Sequence, residues 1–531
     1  MSLPRVEVRN GRKILLVDDK PYILLSGELH NSSSSTLAYM EPIWDKLHAA
    51  HLNSLLFPVT WQQTEPVEGE YHFDLVDGLI EQAKAHDMKF GILWFGAWKN
   101  ANCSYAPNWV KKDTKRFWRA EGEKGKNVSF FTMFGHKVPY TTLSAFCDAT
   151  READAKAFAA LCRHLKEYDT DHTVILIQVE NETGMLGSSR DHSDVADAVF
   201  NSKVPACLIE GLLARKEGLV EDVRAALDQC QDGTWPEVFG AAADEMFMAY
   251  HTASYIEAVA AAGKAEYPIP MYANCWLVQG KQPGEYPSGG PVYRAMEVYQ
   301  TVAPSLDWLA PDIYIPQFVD TCKKYTKQGN PLFIPEIAMH GGAPGRLIYA
   351  VGHHHALCFA PFGIDDLGQQ ADTFLGQAVG MDVTDKALSE KMDPATYARV
   401  NELMAGLTPV VTSLYGTPDL DALIREDPER RTMDFGDVTI SAVFEGPMIQ
   451  KGGGALLAAR VSPDTFYLLG MGCMPAFASK DPECPFFEYL SIEEGEFVDG
   501  KWTVSRLLNG DEEHVRFGEP TLLKVEIHLF D

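Results

Sequence analysis

At 531 residues and 46% hydrophobic content, the chain is long enough for one large barrel-type domain plus a smaller one. Its formal net charge of −28 makes nucleic acid and anionic membranes poor partners, which it would repel, and favours a neutral or cationic small substrate. The longest apolar run, at 90–98, falls far short of the ~20 residues that a spanning helix needs, and no Cys-x-x-Cys or zinc-spaced His cluster points to a metal.

From about residue 20 to about 370, short β-branched or aromatic runs alternate with helical segments, the pattern of a parallel sheet with helices outside it. Eight strands are predicted, at 22–27, 52–57, 89–94, 173–178, 269–273, 308–314, 331–335 and 355–360. Eight such strands close a (β/α)8 TIM barrel, an α/β fold whose active site lies where the strands end. Apolar residues at helical spacing over 75–85 and 155–165 predict members of the outer ring. A long connection between strands four and five, about 186–268, predicts a helical insertion walling the barrel mouth, with helices near 204–215, 220–230 and 241–261. Asp393 followed by Pro394 predicts a capped helix start there, packing as the last barrel helix.

After about residue 416 the texture changes to alternating strands and turns, with Gly452-Gly-Gly454 as a hairpin turn. The expected organisation is a catalytic barrel over 1–415 and a smaller all-β, sandwich-like domain over 416–531.

Two strands run directly into carboxylates. Val174-Ile-Leu-Ile-Gln-Val-Glu-Asn-Glu182 ends strand four, and Leu332-Phe-Ile-Pro-Glu336 ends strand seven. An unpaired carboxylate in a core is costly, so a strand that ends this way has a tip facing a cleft. Glycoside hydrolysis needs such a pair, one carboxyl to protonate the leaving oxygen and one to attack, about 5 Å apart for retention. Strand alternation puts Glu180 and Glu182 on the same side, with Glu182 nearer the open end and therefore the better candidate. Asn181 is placed to hydrogen-bond a sugar hydroxyl.

These residues resemble clan A retaining glycosidases, most closely the β-galactosidases of glycoside hydrolase families 35 and 42. Val59-Thr-Trp-Gln-Gln-Thr-Glu-Pro-Val-Glu-Gly-Glu-Tyr-His-Phe-Asp74 is similar to the Trp-x-x-x-Glu-Pro-x-x-Gly-x-Phe/Tyr-x-Phe segment of those families, Gln178–Glu182 to their Gln-x-Glu-Asn-Glu, and Ser26-Gly-Glu-Leu-His30 to their strand-one motif. The resemblance implies that Glu182 is the acid/base and Glu336 the nucleophile. It also implies an exo-acting retaining mechanism, no cofactor, and an oligosaccharide or β-galactoside as substrate, with a homo-oligomer compatible. Tyr314 ends strand six where such enzymes place a tyrosine on the nucleophile. The C-terminal region is similar to a β domain found in a bacterial subgroup.

The strand-three loop departs from the pattern. Family 35 reads Gly-Pro-Tyr-x-x-Ala-Glu-Trp there, whereas this chain has Gly96-Ala-Trp-Lys-Asn-Ala-Asn-Cys103, with Asn100 or Asn102 in place of the acid that would contact galactosyl hydroxyls. A β-glucosidase, a β-mannosidase, an arabinosidase and a non-catalytic carbohydrate-binding barrel therefore remain alternatives. Trp61, Trp98, Asn274 and Trp276 sit at strand ends as sugar-facing candidates, since aromatic faces suit sugar rings and amides suit hydroxyls. His30 and His340 are each either sugar ligands or core histidines. In His353-His-His355 neighbouring side chains diverge, which argues against a metal. A Cys473–Cys484 bridge would point to the periplasm; otherwise cytoplasmic and periplasmic locations both stay open.

Overall fold

The structure is a computed structural model that describes residues 2–531 apart from 123–128, 134–135, 370–389, 447–448, 450–452 and 514. The hairpin turn expected at 452–454 thus begins outside the described residues. The chain opens with β1 (Arg5–Arg9), β2 (Arg12–Val17) and β3 (Lys20–Pro21), a small antiparallel sheet in that order. It precedes the first predicted strand, and its turn signal is plain in retrospect. Asn10 and Gly11 both have positive φ, 48° and 73°, the conformation of a two-residue hairpin turn.

Next come β4 (Leu24–Leu25), β5 (Ser54–Thr60), β6 (Lys89–Phe95), a hairpin of β7 (Ser129–Met133) and β8 (His136–Tyr140), then β9 (Val174–Val179), β10 (Met271–Trp276), β11 (Trp308–Ile313), β12 (Phe333–Ile337) and β13 (Cys358–Pro361). Eight of these form one sheet in the order β4-β13-β12-β11-β10-β9-β6-β5, the (β/α)8 barrel predicted from the sequence. Strands β5, β9 and β12 are buried along their whole length. That is why they read as continuous apolar runs rather than alternating ones. Most strands begin one to three residues later than predicted, and the first shrinks from six residues to two. Parallel pairing nonetheless continues beyond β4, with Ser26 N–H donating to Phe359 O (3.1 Å) and Glu28 N–H to Pro361 O (2.9 Å). Asn53, just before β5, ties onto the first strand: its N–H reaches Leu25 O (3.1 Å), its Oδ1 accepts from Leu25 N–H (3.1 Å), and its Nδ2 donates to Ile23 O (2.9 Å).

The chain divides into two compact units, one comprising Met1–Arg5, Asn31–Glu41 and Leu55–Asp312, the other Val6–His30, Pro42–Ser54 and Ile313–Asp531. In the first unit the long connection after β9 carries helices Asp194–Phe200, Ala206–Ala214, Glu221–Gln229, Trp235–Phe239 and Ala243–Glu266. The last of these packs along Asp148–Tyr168. Gly263 makes the close approach possible, because a Cβ there would sit 2.3 Å from the Phe158 ring.

In the second unit, helix Pro394–Leu414 starts as predicted, Asp393 Oδ2 accepting from Thr396 N–H at 2.8 Å with Pro394 in the first turn. Strands β14 (Leu420–Ile424), β15 (Thr432–Asp434), β16 (Val438–Val443), β17 (Ala455–Ser462), β18 (Thr465–Met471), β19 (Met474–Ser479), β20 (Phe486–Val498), β21 (Lys501–Leu507) and β22 (Thr521–Phe530) follow. They make two antiparallel sheets, β14-β17-β18-β22-β20-β21 and β15-β16-β19. Met433, Ile440, Phe466, Leu468, Phe477 and Val525 belong to the shared core. Helix Ala343–His354 packs on β14 and β17. At Gly352 an added Cβ would stand 2.6 Å from Ala422 Cβ, so the helix and sheet are in close contact there.

All ten cysteines are free, so the Cys473–Cys484 bridge does not form; Cys473 is buried with its Sγ on Ala455 O. No helix among the described residues is long and apolar enough to cross a membrane.

Candidate active site

Strand β9 stops at Val179, and the next residues leave the extended conformation: Glu180 and Glu182 both have positive φ, 64° and 44°. Each non-glycine residue held there costs ~1 kcal/mol or more, and such strain concentrates at functional segments. Strand alternation consequently does not extend across 180–182, and the shared orientation expected of the two glutamates has no backbone basis. They take different partners. Asn100 Nδ2 donates to Glu182 Oε2 at 2.7 Å, whereas Glu180 accepts from the backbone, Ala97 N–H at 3.2 Å and Trp98 N–H at 2.7 Å.

The strand-three loop that brings Asn100 to Glu182 is a tight turn. Lys99 and Asn102 exchange backbone bonds (2.8 and 3.0 Å), while Asn100 and Ala101 occupy the turn at φ 52° and 57°. Ala101 N–H donates to Glu182 O at 3.0 Å and Thr142 Oγ1–H to Ala101 O at 2.6 Å, which anchors the turn on both sides. Asn100 therefore contacts the candidate acid directly.

Asn274, on β10, accepts the Glu182 N–H at its Oδ1 (3.0 Å) and donates from Nδ2 to Asp312 Oδ2 on β11 (2.7 Å). Both ends of its amide are thus engaged by protein, and it fixes Glu182 rather than presenting a free amide. Asp312 is buried, and its carboxylate lies within 4.8 Å of that of Glu182. Tyr140, at the end of β8, also faces Glu182; burial and then the Glu182 charge push its phenol pKa up. Trp276 is half-buried against Ala101, Tyr140 and Leu186, its indole N–H on Gln279 Oε1 at 3.1 Å. Asn181 is buried between the two glutamates in sequence.

In the second unit, Tyr314 Oη–H donates to Glu336 Oε2 at 2.7 Å, the contact anticipated from the sequence. Glu336 is the penultimate residue of β12 and is only 3% exposed. Four residues on, His340 is buried, and its Nδ1 accepts from Gly342 N–H at 3.0 Å. Burial, reinforced by Arg346, holds its pKa well below the ordinary histidine value, so it is neutral. His30 is exposed. Its Nε2 pairs with Asp366 Oδ2 at 2.9 Å, and its ring meets Phe362 edge-on at 5.3 Å.

Trp61 does not offer a face for a sugar. It is fully buried, its Nε1–H donates to Glu65 Oε2 at 2.8 Å, and Trp109 packs edge-on at 5.7 Å, so its role is packing. Trp98 is likewise enclosed against Tyr255. Asp312 and Tyr140 escaped the sequence reading. Asp312 had a visible signal, an acid inside the apolar run Trp308–Ile313, whereas nothing local marks Tyr140.

A (β/α)8 barrel hosts many chemistries, so the class of this enzyme comes from its family match. Residues 38–207 match the family described as Beta-galactosidase, and the chain is a glycoside hydrolase. Residues 397–518 match a family described as "Domain of unknown function (DUF5597)". No curated protein matches the chain. Among solved structures it is similar to Gan42B, a GH42 β-galactosidase from G. stearothermophilus, at 12% identity and TM-score 0.47, covering 95% of this chain and 98% of that one. It is also similar to the β-galactosidase of the psychrophilic Marinomonas ef1, at 14% identity and TM-score 0.46 over 73% of this chain and 61% of that one. The catalytic domain of β-amylase from Paenibacillus polymyxa is similar at 12% identity and TM-score 0.44, over 66% and 96%.

Proposed function

We propose that the protein is a retaining exo-β-galactosidase. Glu336 attacks the anomeric carbon while Glu182 protonates the departing glycosidic oxygen; Glu182 then takes a proton from water, which releases the sugar from Glu336. The observation that carries the reading is the 2.7 Å bond from Tyr314 Oη–H to Glu336 Oε2. A phenol donor on a carboxylate at a strand tip fixes its direction, as a nucleophile requires. Glu182 is held in place by Asn100 on its carboxyl group and by Asn274 on its backbone N–H, close to the Asp312 carboxylate, which gives an acid/base a fixed direction. The match of residues 38–207 to the β-galactosidase family supports the choice of sugar. Asn181 and Trp276 would contact the substrate. On this reading Asn100 and Asn274 act chiefly through Glu182, and His30 would take part only by leaving Asp366. The carbohydrate is a β-galactoside or an oligosaccharide ending in one, and no cofactor enters.

The test is hydrolysis of aryl β-galactosides by Glu336→Gln and Glu182→Gln; near wild-type turnover in either variant would sink the assignment. A panel of aryl β-glucosides, β-mannosides and arabinosides run beside it decides the sugar, and binding without turnover on every member would favour a carbohydrate-binding barrel.

A further inference from the structure

Glu180 and Asp154 form a buried pair of carboxyl groups behind the strand-three loop. Asp154 projects from helix Asp148–Tyr168 and is hydrogen-bonded to Glu180; neither side chain is exposed. Asp154 Oδ1 accepts from Trp94 Nε1–H at 2.9 Å and Oδ2 from Tyr255 Oη–H at 2.9 Å. Glu180 takes the N–H groups of Ala97 and Trp98. The groups bearing most strongly on the pair, among the described residues, are these neutral donors and the partner carboxyl, with no cation between them. Two ionised carboxylates in contact and away from water would be prohibitively unfavourable, so one proton is held between them, on Glu180 and directed at Asp154. Burial first, then the Asp154 charge, pushes the Glu180 pKa well above the ordinary carboxylate value; burial pushes Asp154 up as well. Gly96 belongs to the same arrangement. A Cβ there would lie 2.4 Å from Glu180 Oε1, 2.5 Å from Trp94 Nε1 and 2.7 Å from Asp154 Oδ1, so only glycine lets the strand pass this closely.

The loop that Glu180 grips by Ala97 and Trp98 is the one whose tip carries Asn100 onto Glu182 and whose Ala101 N–H holds the Glu182 carbonyl. We propose that the Glu180–Asp154 pair is a positioning device for proton donation: by clamping the 97–102 loop it sets the place of Asn100 and, through it, the carboxyl group of Glu182. The inference rests on the reading of Glu182 as the general acid. Glu180 touches no reacting atom and is a positioning residue.

The experiment compares kcat/KM, which reports cleavage of the glycosidic bond, for two substrates of the intact protein. Phenyl β-galactoside has a poor leaving group that needs protonation, and 2,4-dinitrophenyl β-galactoside has a good one that does not. Glu180→Gln keeps a donor toward Asp154 but loses an acceptor for one loop N–H; it should lower kcat/KM about tenfold on the phenyl substrate and under about threefold on the dinitrophenyl one. Asp154→Asn, a second variant in case the first folds poorly, should show the same split. Equal losses on both substrates, or no loss on either, in a variant with native circular dichroism would overturn the inference. Glu182→Ala serves as the reference: if it shows no split, the assignment of Glu182 falls and the inference with it. A split in Glu182→Ala without one in Glu180→Gln brings down the inference alone.

Discussion

Replacing Asn100 with Asp changes a donor to a carboxylate in direct contact with the candidate acid. Asn100 Nδ2 lies 2.7 Å from Glu182 Oε2. Its backbone, at φ 52°, suits Asp nearly as well as Asn, so the turn survives the change. Two unit charges ~4 Å apart at an effective dielectric of ~20 repel by ~4 kcal/mol, and partial solvent exposure of the loop tip reduces that. The remainder makes loss of the Glu182 proton harder, because ionising it now creates a second negative charge beside the first. The alkaline limb of kcat/KM against pH on an aryl β-galactoside should therefore move upward by about one to three pH units. Asn100→Ala, which only removes the donor, should move it far less. An alkaline limb that stays in place in a folded Asn100→Asp protein would refute the view that Glu182 is the titrating acid and Asn100 its immediate neighbour.

Tyr314→Phe removes the hydrogen bond on Glu336; kcat/KM should fall ~10- to 100-fold, with little change in thermal stability. Gly96→Ala should destabilise the protein by ~1–3 kcal/mol in denaturant titrations, since the new methyl would press on Glu180, Asp154 and Trp94. Burial lowers the pKa of both His251 and His355 to about 4. Each is protonated in the unfolded chain below its ordinary value of 6.5 while still neutral in the folded one. Stability from these groups is thus complete above pH 6.5 and declines between 6.5 and 4, by ~3 kcal/mol each. His251→Phe should flatten that acid slope in pH-dependent unfolding; an unchanged slope would exclude His251 as a source. Glu180, with its pKa raised, works oppositely: its contribution is full below 4.5 and fades as pH rises through its folded-state value.

The barrel was legible because parallel strands buried on both faces leave unbroken apolar runs, and the residues that stop those runs stand out. Glu182, Glu336 and Tyr314 are all such residues. What stayed hidden was mostly non-local. Asp154 looks like any acid on an amphipathic helix until folding sets it against Glu180. Asn274 looks like a sugar-binding amide, yet both of its ends are engaged by Glu182 and Asp312. Trp61 ends a strand, but its indole turns into the interior toward Glu65. The positive φ at 180 and 182 broke the period-two argument at the very point where it was applied. By contrast, the small sheet of β1–β3 had a readable Asn-Gly turn and lay merely upstream of the expected pattern.

Helix Ala343–His354 is buried along nearly its whole length, from Ala343 through Gly352, with β14 and β17 against it. A helix buried on every side, with its one arginine, Arg346, paired to Glu426, needs neighbours all round it. The antiparallel sheets after residue 416 are therefore part of what makes this helix foldable, and not cargo hung on a finished enzyme. Cutting the gene near 416 to obtain a minimal hydrolase would strip the cover from the segment that follows Glu336, and the product would be expected to aggregate rather than to act as a smaller catalyst.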